Sequence, residues 1–258
     1  MKTIRINCEF GSELVLKFGE VYTEWKKNPN IVVHTLKGMK PFYFYIKDEN
    51  LIEEDKIRAV GSPSGMRLHE RELPSFCQEY PNFKKKYSEY KLPFETDREI
   101  ILISNKYNVE WKKPPINFLD IPTLTQLFEV LSKKYLVVYN RIQSSQIAGD
   151  GTIIKDLGDY ELVEKYDNVI NFNKIESDYS PNELQLVLVS QAKHKISVQG
   201  GTSILSSFGG GTNDIFVVKG GELEHDTMNV WYKKLSNGDI KITTHSTYET
   251  LIEKFRTI

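Results

Sequence analysis

The residues with the clearest chemical potential are Gln199-Gly200-Gly201-Thr202-Ser203, set between an apolar stretch and a run of small residues. Paired glycines let a chain turn sharply and let its backbone come close to a ligand. Thr and Ser favour the start of a helix, where free N–H groups attract phosphate. The pattern predicts a strand at Lys195–Val198, a glycine turn, and a helix opened by Thr202 and Ser203. A second turn at Gly209–Gly211 and a strand at Ile215–Val218 follow. A tight strand-to-helix connection with no ligand would carry the same signature.

Other residues stand where chemistry is often found. Glu9 follows an opening strand (residues 3–8, TIRINC), and Arg141 closes the apolar run YLVVYNR. The turn-rich stretch 61–76 holds Arg67, His69, Glu70 and Arg71, which suits either the rim of a cleft or an irregular surface connection. The five histidines are scattered, no H-E-x-x-H is present, and no metal site is expected. A dinucleotide fingerprint needs G-x-G-x-x-G directly after a strand, and neither Glu9-Phe10-Gly11-Ser12 nor Gln199-Gly200-Gly201-Thr202 supplies it. The P-loop and the G-x-S-x-G nucleophile elbow are also absent.

Composition narrows the class of partner. Lys and Arg number 34 against 35 Asp and Glu, which leaves no basic footprint for nucleic acid. Two cysteines, Cys8 and Cys77, are too few for a disulfide framework and have no metal spacing. No apolar run reaches the roughly 20 residues of a membrane span, and MKTIRINCEF lacks the apolar core of a signal peptide. The expectation is a soluble cytoplasmic protein with no transmembrane segment.

The elements that must position these residues alternate between strand and helix. Leu14, Phe18, Val21, Tyr22 and Trp25 mark a helix over 13–27, with Ser12 as its cap, and Ile31–Leu36 a strand. The aromatic run KPFYFYI (40–46) reads as a strand or a buried aromatic turn, and 77–95 as a helix linking two halves. Arg98–Ser104 and Tyr135–Asn140 are continuous apolar strands of the kind a parallel sheet buries on both faces. The alternation continues to a closing helix at Ser246–Phe255, which predicts a doubly wound parallel sheet with ligands at the carboxyl ends of its strands.

The segment ISVQGGTSILSSFGGGTNDIFV (196–217), preceded by ELQLVLVSQAKH (183–194), resembles the nucleotide-sugar half of GT-B-fold glycosyltransferases of glycan and polysaccharide biosynthesis. The likeness extends over 98–218. It implies an α/β fold of two Rossmann-like lobes with a cleft between them: an acceptor lobe over 1–95, and a nucleotide-sugar lobe over 96–258 whose sheet is doubly wound. The implied reaction is metal-independent transfer of a hexosyl or pentosyl group from a UDP- or GDP-sugar to a glycan hydroxyl, with inversion expected and retention the alternative. The donor is a substrate, and no cofactor is implied. The donor diphosphate would lie at Gly200, Gly201, Thr202 and Ser203, with Arg141 neutralising it. Asn173 would stand in the loop that meets the base, and Glu222 or Glu224 would bind ribose. Glu9 is the leading general base, with Glu13 and His69 as alternatives. A sugar-nucleotide epimerase or hydrolase, or a glycan-binding protein without catalysis, would suit the same scaffold.

Overall fold

The computed structural model describes residues 2–59, 74–77, 79–109, 113–143, 146, 152–224 and 226–257. Two separate parallel sheets organise them. The first begins with β1 (Thr3–Arg5), followed by α1 (Phe10–Ser12), a π-helical turn (Glu13–Lys17) and α2 (Phe18–Lys27), which run on without a break. β2 (Val32–Leu36), two 3-10 turns (Lys40–Tyr43 and Asp48–Asn50) and β3 (Leu51–Glu54) complete it, in the order β1-β2-β3. α3 (Phe83–Tyr87) lies between the two sheets in the chain.

The second sheet has six strands. They are β4 (Ile100–Asn105), β5 (Leu136–Arg141), β6 (Val169–Asn171), β7 (His194–Val198), β8 (Gly211–Phe216) and β9 (Ile240–His245). Their order is β6-β5-β4-β7-β8-β9, every pair parallel. This is the doubly wound arrangement, and its direction reverses between β4 and β7. The helices joining the strands are α4 (Ile121–Leu131), α5 (Tyr160–Val163), α6 (Pro181–Gln191), α7 (Gly201–Ser207), α8 (Gly221–Glu224), α9 (Thr227–Leu235) and α10 (Tyr248–Arg256). Local chemistry fixes several starts: the side chains of Asp120, Ser180 and Thr247 each accept the backbone N–H three residues on.

One face of the six-stranded sheet packs on α4 and α10 through Ile101, Ile103, Phe128, Leu251 and Phe255. The other face belongs to an apolar core that continues into the first lobe. Phe208, after α7, stacks on Phe83 with ring centroids 4.5 Å apart and on Phe18 at 6.0 Å. A chain of buried amides also crosses the seam. Gln146 donates to Asn140 (3.0 Å), Asn140 to Gln185 (3.2 Å), Gln185 to Asn182 (2.8 Å), and Asn182 to the Gly38 carbonyl of the first lobe (2.7 Å).

Of the two readings of the aromatic run at 40–46 the structure takes the turn: Lys40–Tyr43 is 3-10, with Pro41 in its first turn and Phe42 and Tyr43 buried. Two further elements differ from the sequence expectation. The linking helix shrinks to Phe83–Tyr87, capped by Asn82 between Pro81 and Pro93. The first helix begins at Phe10 rather than after Ser12, and Ser12 makes no cap bond. The connection from α3 to β4 contains residues 95 and 96, the expected division, and the apolar core crosses it.

Within β7, the fully buried Lys195 ammonium donates to the Ala192 carbonyl beyond α6 at 2.7 Å. Burial, with the nearby Lys84 charge, lowers its pKa from 10.5 to about 7. The unfolded chain therefore binds a proton near pH 10.5 that the fold takes up only near pH 7. Stability from this group rises with pH between those values and is flat below pH 7. Compared with Lys195→Met, the wild type should gain at most about 1.4 kcal/mol per pH unit from pH 7 to 10 in urea-unfolding measurements.

Candidate functional site

In a doubly wound sheet the ligand crevice lies outside the carboxyl ends of the strands that flank the reversal. Here those ends are Asn105-Lys106 after β4 and Gln199-Gly200 after β7. Gly200 has φ 118° and ψ −156°, in the region that suits glycine, and it occupies the cap position of α7. A Cβ there would lie 3.0 Å from the Lys106 ammonium nitrogen. The bare turn thus lets a cation from the neighbouring strand end settle over it. Gly201 is crowded from the other lobe: its Cβ would fall 2.9 Å from Phe10 Cδ1. Glu9, which is exposed, directly precedes Phe10 in the chain.

The expected capping roles of Thr202 and Ser203 need correction. Thr202 Oγ1 donates to the Val198 carbonyl at 2.5 Å, and Ser203 Oγ to the Gly200 carbonyl at 2.9 Å. Both residues are buried, and Ser203 also meets the Tyr232 hydroxyl. The amides of Ser203 and Ile204 bond to the Gly200 carbonyl, leaving those of Gly201 and Thr202 at the open end of the turn.

A second polar group gathers where the connections after β4, β7 and β8 meet. Asn117 donates to Gln199 Oε1 (2.9 Å), and Gln199 Nε2 donates to Glu222 Oε2 (2.7 Å). Glu222 is half-exposed beyond the end of β8, so the structure brings it to the Gly200 turn through Gln199.

Arg141 is placed differently from the expectation. Its guanidinium is buried, donates to the Lys155 carbonyl (2.9 Å), pairs with Asp159 (3.3 Å) and lies 4.4 Å from the Tyr160 ring centroid. Burial alone would lower its pKa, but the Tyr160 hydrogen bond and the Asp159 charge outweigh that and raise it. These partners commit it to the loop after β5. Asn173 joins the same group, donating to the Arg141 carbonyl and the Tyr160 hydroxyl. Glu13 is also enclosed: it accepts from Thr35 (2.9 Å), Tyr43 (2.7 Å) and Arg58 (2.5 Å), all buried. Burial, helped by the Glu13 charge, pushes the Cys8 thiol up to about 12, which removes it as a nucleophile. His69 and the Glu224 side chain lie outside the described residues. Lys106, Asn117 and Phe10 carried no sequence motif. Their roles appear only once the strand order is known.

Elsewhere on the seam, a groove of about 600 Å3 runs between the β2–β3 connection, α3 and the start of α6. Phe44, Tyr90, Lys86, Asp178 and Glu183 are among its walls.

No family model matches the sequence, and no curated protein matches it. A solved structure does: E. coli ADP-heptose LPS heptosyltransferase II superposes over 100% of this chain and 98% of its own, with TM-score 0.60 at 10% identity. The fold is GT-B. The wall teichoic acid polymerase TagF is a weaker match, with TM-score 0.37 at 12% identity over 90% of this chain and 52% of its own. The described residues hold two parallel sheets, one of three strands and one of six.

The contact between lobes at Gly201 is testable. Gly201→Ala should lower the unfolding free energy by about 1–3 kcal/mol through overpacking against Phe10. Combining it with Phe10→Ala should cost clearly less than the sum of the two single changes in denaturant unfolding.

Proposed function

We propose that this chain is a metal-independent glycosyltransferase that moves a sugar from a nucleoside diphosphate donor to a glycan hydroxyl with inversion. The observation that carries the reading is the pairing, at the reversal of the six-stranded sheet, of a bare glycine turn with a cation on one side and a carboxylate on the other. A diphosphate matches the turn amides and Lys106, whereas a carboxylate repels it. Glu222 therefore belongs beside the ribose, where hydroxyls donate to it. The fold shared with the heptosyltransferase supports the same assignment by analogy.

The chemistry follows from these placements. The acceptor oxygen bonds to the anomeric carbon as the bond from that carbon to the diphosphate oxygen breaks. Lys106 and the turn amides meet the charge that grows on the leaving diphosphate. The acceptor proton passes to a carboxylate at the rim, and Glu9 is the one that precedes Phe10 against the turn. The seam groove, lined by Phe44 and Tyr90 together with Asp178 and Glu183, offers the mixed apolar and polar lining that suits a saccharide acceptor.

Thermal-shift and calorimetric titration with ADP, GDP, UDP and CMP test the reading. At least one nucleoside diphosphate should raise the melting temperature. Lys106→Ala should weaken it about 10- to 100-fold, the worth of a charge-assisted hydrogen bond of about 1.5–3 kcal/mol. Arg141→Ala should instead lower the melting temperature of the empty protein. Stabilisation by none of the four nucleotides would defeat the proposal, and donor breakdown without acceptor would point to a hydrolase.

A further inference from the structure

Building on the nucleotide reading above, we propose that Gln199 is a positioning residue for ribose recognition: it holds the Glu222 carboxylate so that the free oxygen of that group accepts the sugar hydroxyls.

The orientation of this side chain is dictated from the backbone. Asn117 Oδ1 accepts the amides of Val218 (2.9 Å) and Lys219 (3.2 Å). Its Nδ2 must then be the donor, and it serves the Lys219 carbonyl (2.8 Å) and Gln199 Oε1 (2.9 Å). With its oxygen already accepting, Gln199 can present only its N–H groups onward, and they reach Glu222 Oε2 at 2.7 Å. Gln199 is itself buried, at 4% exposure, so its amide has little room to turn elsewhere.

The chain passes close to this pair at Gly220, and a side chain there would make the pair give by a few tenths of an ångström. A Cβ on Gly220 would lie 3.0 Å from Gln199 Nε2 and 3.1 Å from Glu222 Oε2. One carboxylate oxygen of Glu222 is thus tied down. Among the described residues no hydrogen bond engages the other, and the side chain is half-exposed at the crevice. A carboxylate held in one rotamer with one free oxygen is arranged to accept a donor from outside. A nucleoside diphosphate brings two kinds of donor, its ribose hydroxyls and the N–H groups of its base, and the ribose hydroxyls stand nearer the diphosphate that the Gly200 turn and Lys106 would hold.

The test compares the best-binding nucleoside diphosphate with its 2′-deoxy and 3′-deoxy forms, by calorimetry on the full chain. The wild type should prefer the ribose form over at least one deoxy form by about tenfold. Gln199→Leu should reduce that preference to about threefold or less while binding the deoxy forms as the wild type does. Gly220→Ala, which pushes the pair apart and keeps Gln199, should do the same and serves if Gln199→Leu does not fold. An unchanged preference in the variants, or no discrimination by the wild type, overturns the assignment while leaving nucleotide binding intact. Failure of the wild type to bind any nucleoside diphosphate removes the reading beneath it as well.

Discussion

The approach of Phe10 to Gly201 governs this molecule. A ring from the first lobe occupies the space that a side chain at 201 would need, and the ring is itself buried. Phe18, Phe83 and Phe208 extend the same contact into a stack that joins α2, α3 and α7. Apolar burial of this kind is non-directional and strong, so it presses the lobes together without choosing an angle between them. The angle comes from the groups that cannot be paired any other way.

Those groups are the buried amides. Asn140, Gln146, Asn182 and Gln185 run from the second sheet to the Gly38 carbonyl, each donating to the next. Breaking the chain would strand a buried donor or acceptor at about 1–3 kcal/mol, whereas the net worth of each bond is about 1 kcal/mol. That asymmetry makes such a network a device of specificity. Gln191 donating to the Tyr90 carbonyl and Ser190 to the Phe83 carbonyl anchor α3 on α6 in the same way.

The crevice uses charge differently from the rest of the protein. Arg141 and Glu13, the ionised residues best enclosed near the strand ends, are each paired internally with Asp159 and Arg58. Charges paired with each other inside the protein are held by those partners. Lys106 and Glu222 are partly exposed, and they follow β4 and β8, the strands on either side of β7 and its glycine turn.

Much of this was present in local pattern. The apolar runs at 98–104 and 135–140 could only be doubly covered strands, and the glycines at 200 and 201 could only be a turn, because burial and backbone sterics act within a few residues. The aromatic run at 40–46 stayed open between strand and turn because both bury rings from the same composition, and Pro41 decides between them only with its surroundings. Arg141 looked like a ligand group from its place at a strand end, yet Asp159 and Tyr160 claim it across a turn the sequence does not reveal. The sequence by itself determined the strand and helix alternation of the second lobe, the parallel class of its sheet and the turn at its centre. Only the tertiary structure decided which charges meet that turn, because Lys106, Glu222 and Phe10 come from three distant stretches and are neighbours solely through strand order and lobe packing.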